Sequence, residues 1–244
     1  MIYRTKGIVL RTIKYGETSI VVTIFTELFG IQSYLVNGIR SSAKTSSKAS
    51  LFQPTSILEM EVYHNELKNL QRIKEFKWNY LYKNILSDVT KNSVAVYMIE
   101  LLQKCLKQPE NNTALFEFCE KALVQLDVAE DSVTANFPLY FSLQLVHFFG
   151  FSIRDNYSKE KLILDLQEGA FTDIAPQHSY FLDGDYSSFI SQLLKMQSAN
   201  ELSKIKLNKG SRREMLLALQ TFYALHIQEF GVMKTLPVLH EILS

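Results

Sequence analysis

Arg40, Lys44 and Lys48 stand four residues apart in a serine-rich stretch, and the interval from Glu27 to Glu59 that contains them holds no other acidic residue. Cations spaced along polar backbone suit the binding of phosphates in series without reading of sequence, and serine hydroxyls and loop amides can add hydrogen bonds. Lys6, Arg11 and Lys14 near the start, with Arg72 and Lys74 further on, are candidates for the same surface. A second cluster, Lys204, Lys206, Lys209, Arg212 and Arg213, has no acid between Glu201 and Glu214. It falls at the start of a helical stretch, where cations oppose the helix dipole. Its expected use is the capture of an acidic peptide or the extension of a nucleic-acid path, against the plainer reading of a solvated face.

Other chemistries find no support. There is no glycine-rich phosphate loop, HExxH, paired-Asp metal site or Gly-x-Ser-x-Gly elbow, which points away from an enzyme. The histidines, His64, His147, His178, His226 and His240, are scattered without a nucleophile or acid at meaningful spacing. Cys105 and Cys119 lack a CxxC and any His at ligand spacing, so buried free thiols are expected and a zinc site is not. No cofactor is implied.

These residues need a scaffold. Residues 2–15 and 19–26, rich in Ile, Val, Thr and Tyr and broken by Gly16-Glu17, predict two strands joined by a short turn. A third strand is predicted over 31–36 and a fourth over 56–64, where Leu58, Met60 and Val62 alternate with Glu59 and Glu61; a fifth covers 67–76. Residues 37–50 read as loop. With no helix long enough to cover a parallel sheet, a small closed antiparallel barrel is the economical arrangement, because closure removes exposed strand edges. In such a barrel the first and last strands are expected to meet, bringing Lys6, Arg11 and Lys14 beside Arg72 and Lys74. Tyr15, Phe25, Tyr34, Phe52 and Tyr63 offer rings for stacking on unpaired bases, though Phe25 and Phe52 better suit the core.

Past Trp78 the period becomes helical: Val94, Tyr97, Met98, Leu101 and Leu102 share a face, as do Leu115, Phe118, Ala122, Leu123 and Leu126. The nearly apolar run 137–149, with Pro138 near its start, predicts a central helix ended by Gly150. Residues 151–185 read as a loop-rich insert with at most short strands, and helices follow over 186–196, 212–230 and 235–243. The expected class is α+β multidomain: an OB-type five-stranded barrel at 1–80 and a helical domain at 81–244. Charge divides along the same line, since residues 1–86 carry twelve Lys or Arg against six Asp or Glu, and the remainder fourteen against nineteen. Such asymmetry points to a polyanion as the partner of the basic half. No apolar run reaches the roughly 18 residues of a membrane span, so a cytoplasmic protein without a membrane partner is expected.

The N-terminal text resembles the RecO family of bacterial recombination mediators in Gly7-Ile8-Val9-Leu10, Gly16-Glu17-Thr18-Ser19, Phe25-Thr26 with Gly30, Gly38-Ile39-Arg40, Leu51-Phe52-Gln53-Pro54, and Leu67-Lys68-Asn69-Leu70 ahead of Glu75. Further on, Phe149-Gly150-Phe151 and Arg213-Glu214 leading into Tyr223 and His226 extend the likeness over most of the chain. The resemblance implies an OB-fold followed by helices and the binding and annealing of single-stranded DNA. It also implies double-stranded DNA, RecR and the acidic tail of single-stranded DNA-binding protein as partners, RecA loading on coated strands, and action at the bacterial nucleoid. Some members carry a four-cysteine zinc module after the Phe-Gly-aromatic point; residues 151–185 contain no cysteine, and the metal is not carried over. The competing reading is a scaffold whose basic surfaces bind acidic peptides.

Overall fold

A computed structural model describes residues 1–39 and 48–243. Arg40 and Lys44 fall outside the described residues. By backbone packing the chain forms two compact units, Met1–Lys83 with Leu106–Val124, and Asn84–Cys105 with Gln125–Ser244.

The first unit is a closed barrel of β1 (Ile2–Tyr15), β2 (Ser19–Thr26), β3 (Gly30–Val36), β4 (Ile57–Tyr63) and β5 (Leu70–Tyr80). Its strand order is β1-β2-β3-β5-β4. β1 therefore closes the barrel against β4, and the expected meeting of first and last strands does not occur. The β3–β5 junction is parallel and the others antiparallel. The fifth strand starts later than its sequence pattern predicts, because the side chain of Gln71 is drawn into the turn before it: its Nε2 donates to the Asn65 carbonyl and its Oε1 accepts from the Asn65 N–H.

Alternation on each strand sends Val9, Ile20, Val22, Ile24, Tyr34 and Met60 into the barrel, with Phe52 closing over them. The interior leaves no room at Gly7, where a Cβ would lie 2.5 Å from Ile24 Cγ2 and 2.6 Å from Met60 Cε. Phe25 faces the other way: it is fully buried against Phe116 of α2 (Thr113–Val128), ring centroids 5.6 Å apart. Residues 113–124 of that helix belong to the barrel unit. The approach of this segment explains Gly30, whose Cβ would run into the Glu110 backbone and whose φ is +62°.

The second unit contains α1 (Val89–Cys105), α3 (Asp131–Leu145), α4 (Gly184–Leu194), α5 (Lys209–His226) and α6 (Thr235–Ile242). Ser142 on α3 ties three helices: Tyr97 Oη of α1 lies 2.8 Å from its hydroxyl, and Tyr223 Oη of α5 donates to its carbonyl at 2.8 Å. Pro138 sits inside α3 and not near its start, because the helix begins about two turns earlier at Asp131, after the N-cap Glu130, whose carbonyl accepts the Val133 and Thr134 N–H groups. A 3-10 turn at Val146–Phe149 continues α3 to Gly150, which ends it at φ +79°. Cys105 and Cys119 are buried and stand outside any disulfide.

The insert forms a three-stranded sheet of β6 (Ile163–Asp165), β7 (Ala170–Thr172) and β8 (Phe181–Leu182), in the order β7-β6-β8. Side chains bind its backbone: Asn156 pairs in both directions with Phe171 at 2.8 and 2.9 Å, Asp165 Oδ1 caps Gln167 and Glu168, and Ser187 Oγ bridges Leu164 and Leu182. A zinc module does not fit here. His178 Nε2, 3.4 Å from Asp165 Oδ2, has no thiolate near it in sequence, and no metal-holding cluster of three His, Cys, Asp or Glu occurs among the described residues.

Candidate nucleic-acid interface

The facing of each cation on the barrel follows from strand register. Along β1, Val9 pairs with Ile24 and Arg11 with Thr23, so Leu10 is the extra residue of a bulge. Simple alternation from Val9 would turn Arg11 into the core. The bulge resets the phase and puts Arg11 on the outer face, exposed, opposite Thr23. Lys14, opposite Ile20, falls on the core-facing register but lies at the rim, where its side chain is exposed.

Continuing across the sheet, Arg11, Thr23, Ser33 and Leu70 occupy one outer row, and Ile13, Val21, Leu35, Arg72 and Tyr63 the next. The second row crosses all five strands, four steps of about 4.8 Å or about 19 Å in all. Its ends are open, Ile13 and Tyr63 each 45% exposed and Tyr15 beside Ile13 55% exposed, while Val21 and Leu35 between them are half-buried. Around Arg72 a groove of about 580 Å³ is lined by Leu35, Tyr63, Lys68 and Leu70. Arg11, Lys14, Lys68 and Arg72 have no carboxylate partner among the described residues, and neither does exposed Lys48.

On the adjoining stretch of β1, β4 and β5 the cations are neutralised. Lys74 Nζ lies 2.9 Å from Glu61 and Lys77 Nζ 2.8 Å from Glu59, while the Arg4 guanidinium reaches Glu61 at 3.3 Å. The hydrogen bonds from Lys77 and Lys74 hold the Glu59 and Glu61 carboxyls below their ordinary range. Lys6 Nζ is 2.9 Å from Glu120 of α2, and that hydrogen bond raises the ammonium's pKa despite partial burial. Glu120 also accepts from Asn79 at 2.9 Å. The eight barrel cations expected from sequence thus fall into three groups. Arg11, Lys14, Lys48 and Arg72 are open, Lys6 and Lys74 are paired, and Arg40 and Lys44 lie outside the described residues. Lys68 escaped notice because its place in the β4–β5 turn beside Arg72 has meaning only once β5 is known to lie between β3 and β4.

Of the rings offered for stacking, Tyr34, Phe25 and Phe52 are buried, leaving Tyr15 and Tyr63 on the surface. Burial without a hydrogen-bond partner pushes the Tyr34 hydroxyl pKa far up, as expected of a core residue.

In the second unit the basic cluster also divides. Arg212 is structural: its Nη1 donates to the Leu207 carbonyl at 2.7 Å and its Nη2 to the Leu243 carbonyl at 3.2 Å, and burial lowers its pKa. Lys204 lies 3.6 Å from Glu201. Lys206, Lys209 and Arg213 are exposed and have no carboxylate partner among the described residues. The start of α5 is capped by Asn208, whose Oδ1 accepts from the Ser211 N–H at 2.8 Å.

Residues 1–82 match the family model for the recombination protein O N terminal and residues 86–157 that for the recombination protein O C terminal. Full-length similarity accompanies these matches. The DNA repair protein RecO of Phocaeicola vulgatus is 32% identical over 100% of both chains, that of Azobacteroides pseudotrichonymphae 30% over 99% of both, and that of Flavobacterium psychrophilum 33% over 99% of both. None of the described helices is long and apolar enough to cross a membrane.

Proposed function

Because the chain belongs to the RecO family of DNA repair proteins, we propose that its barrel binds single-stranded DNA along the open outer face and anneals complementary strands without catalysing a covalent step. The observation that carries this reading is the division of the barrel's cations: Arg11 and Arg72, on the rows from Arg11 to Leu70 and from Ile13 to Tyr63, are unpaired, while those on the adjoining stretch of β1, β4 and β5 are held by carboxylates. Arg11, Lys14, Lys68 and Arg72 bind phosphates, and Arg40, Lys44 and Lys48 are further candidates. Tyr15, Ile13 and Tyr63 supply apolar faces on which bases rest, and that contact tolerates any sequence. Screening of phosphate repulsion by the same surface lets a second strand approach, which is the physical basis of annealing and of binding to duplex.

The segment 1–80 supplies the DNA grip and 81–244 the contacts with proteins. Lys206, Lys209 and Arg213, with Arg212 fixing the helix that carries Arg213, suit the acidic tail of single-stranded DNA-binding protein. Contact with RecR and with coated DNA then places the protein where RecA is loaded, at the bacterial nucleoid in the cytoplasm.

The test is oligonucleotide affinity of the full chain against salt. Replacing Arg11, Lys14 and Arg72 by Ala removes three phosphate contacts, so the slope of log K against log salt should fall by about 2, at about 0.7 per contact with a single strand. An unchanged slope would reject this face.

A further inference from the structure

At the end of the barrel a cleft of about 570 Å³ opens between β2, β3, the β4–β5 turn and the segment holding Pro109 and Asn111. Its volume falls in the range of small-molecule sites. Phe29 and His64 form one wall, stacked with centroids 3.9 Å apart and planes at 14°, and braced edge-on by Tyr3. The remaining lining is rich in amides and hydroxyls, including Gln32, Ser33, Asn69 and Asn111. Gln32 donates its Nε2 to the Phe29 carbonyl at 2.9 Å, which leaves the amide oxygen available as an acceptor. Asn69 has no hydrogen bond or ion pair among the described residues, and neither has the Glu66 carboxylate.

The turn that presents Glu66, Lys68 and Asn69 is already fixed. Gln71 clamps it from inside through Asn65, and Asn65 Oδ1 accepts from the Leu67 N–H at 2.9 Å. A prearranged turn binds with less loss of conformational freedom. Lys68 and Gln71 also line the groove around Arg72, so the cleft opens onto the proposed DNA path. Its own charge is unsuited to phosphate, since Glu66 opposes the single cation, Lys68. An aromatic wall, neutral amides and one carboxylate acceptor suit a flat, uncharged, hydrogen-bonding ring.

We propose that this cleft receives one unpaired nucleobase of the bound strand and favours bases bearing an exocyclic amino group over thymine. The amino group donates to Glu66, whereas thymine presents O4, an acceptor, at that position. The inference rests on the reading of the barrel as a single-strand track. It goes beyond that reading by giving one position of the strand a base contact.

The test compares twelve-nucleotide strands of dC, dT and abasic linkers by fluorescence anisotropy at pH 8, where cytosine is uncharged. The full chain is used, alone and as Glu66→Gln, Asn69→Ala and Arg72→Ala, the first two being exposed positions. Expected are a loss of about 5- to 150-fold from dC to the abasic strand, the worth of a base stack, and roughly tenfold weaker binding of dT than dC. Glu66→Gln should bring dC and dT together, because its amide can donate to O4; Asn69→Ala should weaken the base-bearing strands and leave the abasic one unchanged. Equal binding of all three strands, with Arg72→Ala weakening each, overturns the base site and keeps the track. Failure of every strand to bind overturns both.

Discussion

If ion pairing is what keeps one wall of the barrel out of DNA binding, breaking the pairs should recruit it. Glu59 and Glu61 hold three cations between them: Lys77 at 2.8 Å, Lys74 at 2.9 Å and Arg4 at 3.3 Å. Glu59→Gln/Glu61→Gln removes both charges, keeps side-chain size and leaves Arg4, Lys74 and Lys77 without partners. The carboxylates are at the surface, where ion pairs contribute little to stability, so the fold should persist. Three added phosphate contacts would steepen the salt dependence by about 2, which amounts to about 100-fold tighter binding at 0.1 M salt relative to a 1 M reference. Each contact counts for about fivefold on that scale. Anisotropy titrations from 0.05 to 0.5 M salt measure both slope and affinity, and Arg11→Ala/Lys14→Ala/Arg72→Ala gives the opposite sign on the same axes. A double variant indistinguishable from the parent, beside a weakened triple variant, would refute the claim that carboxylate pairing decides which cations serve.

Three further outcomes are expected. Glu59 and Glu61 have depressed pKa values in the folded chain, so the stability they add is present above the ordinary carboxylate range and is lost as pH falls from that range through the depressed values; thermal melts from pH 7 to 3 should show a loss that Glu59→Gln/Glu61→Gln reduces. Phe116→Ala, which strips a fully buried ring from Phe25, should cost about 3–5 kcal/mol in urea unfolding of the barrel unit, and a cost under about 1 kcal/mol would mean that α2 contributes little there. Gly30→Ala should destabilise more than Gly16→Ala in the same assay, since both have positive φ but only Gly30 meets backbone, that of Glu110.

The barrel was legible because its signals are local. Alternation at Leu58, Met60 and Val62 against Glu59 and Glu61, and the break at Gly16-Glu17, need only neighbouring residues to define strands and a turn. Strand order is a long-range property, and composition carries no trace of β5 lying between β3 and β4. The same limit hid the role of α2: the apolar stripe through Leu115 and Cys119 predicts a helix, but not that Phe116 covers Phe25 or that Glu120 holds Lys6. Pro138 misled by its preference for a first helical turn; it lies inside α3, where its missing N–H removes the bond to the Thr134 carbonyl.

Candidate cations were harder to sort than strands, since sequence gives the charge of a lysine but not the charge of what faces it. Lys6, Lys74 and Arg11 look alike along the chain. Register separates them: Lys6 and Lys74 come within reach of Glu120 and Glu61, while the bulge at Leu10 sends Arg11 to a row of threonine, serine and leucine. Within the basic cluster, Arg212 is spent on two main-chain carbonyls and Arg213, the next residue, is exposed. A net positive half-chain therefore overstates the surface that a polyanion meets. The binding surface we propose is the part of that charge which folding leaves without a carboxylate, and on this barrel it includes the rows where Ile13, Tyr15 and Tyr63 remain open.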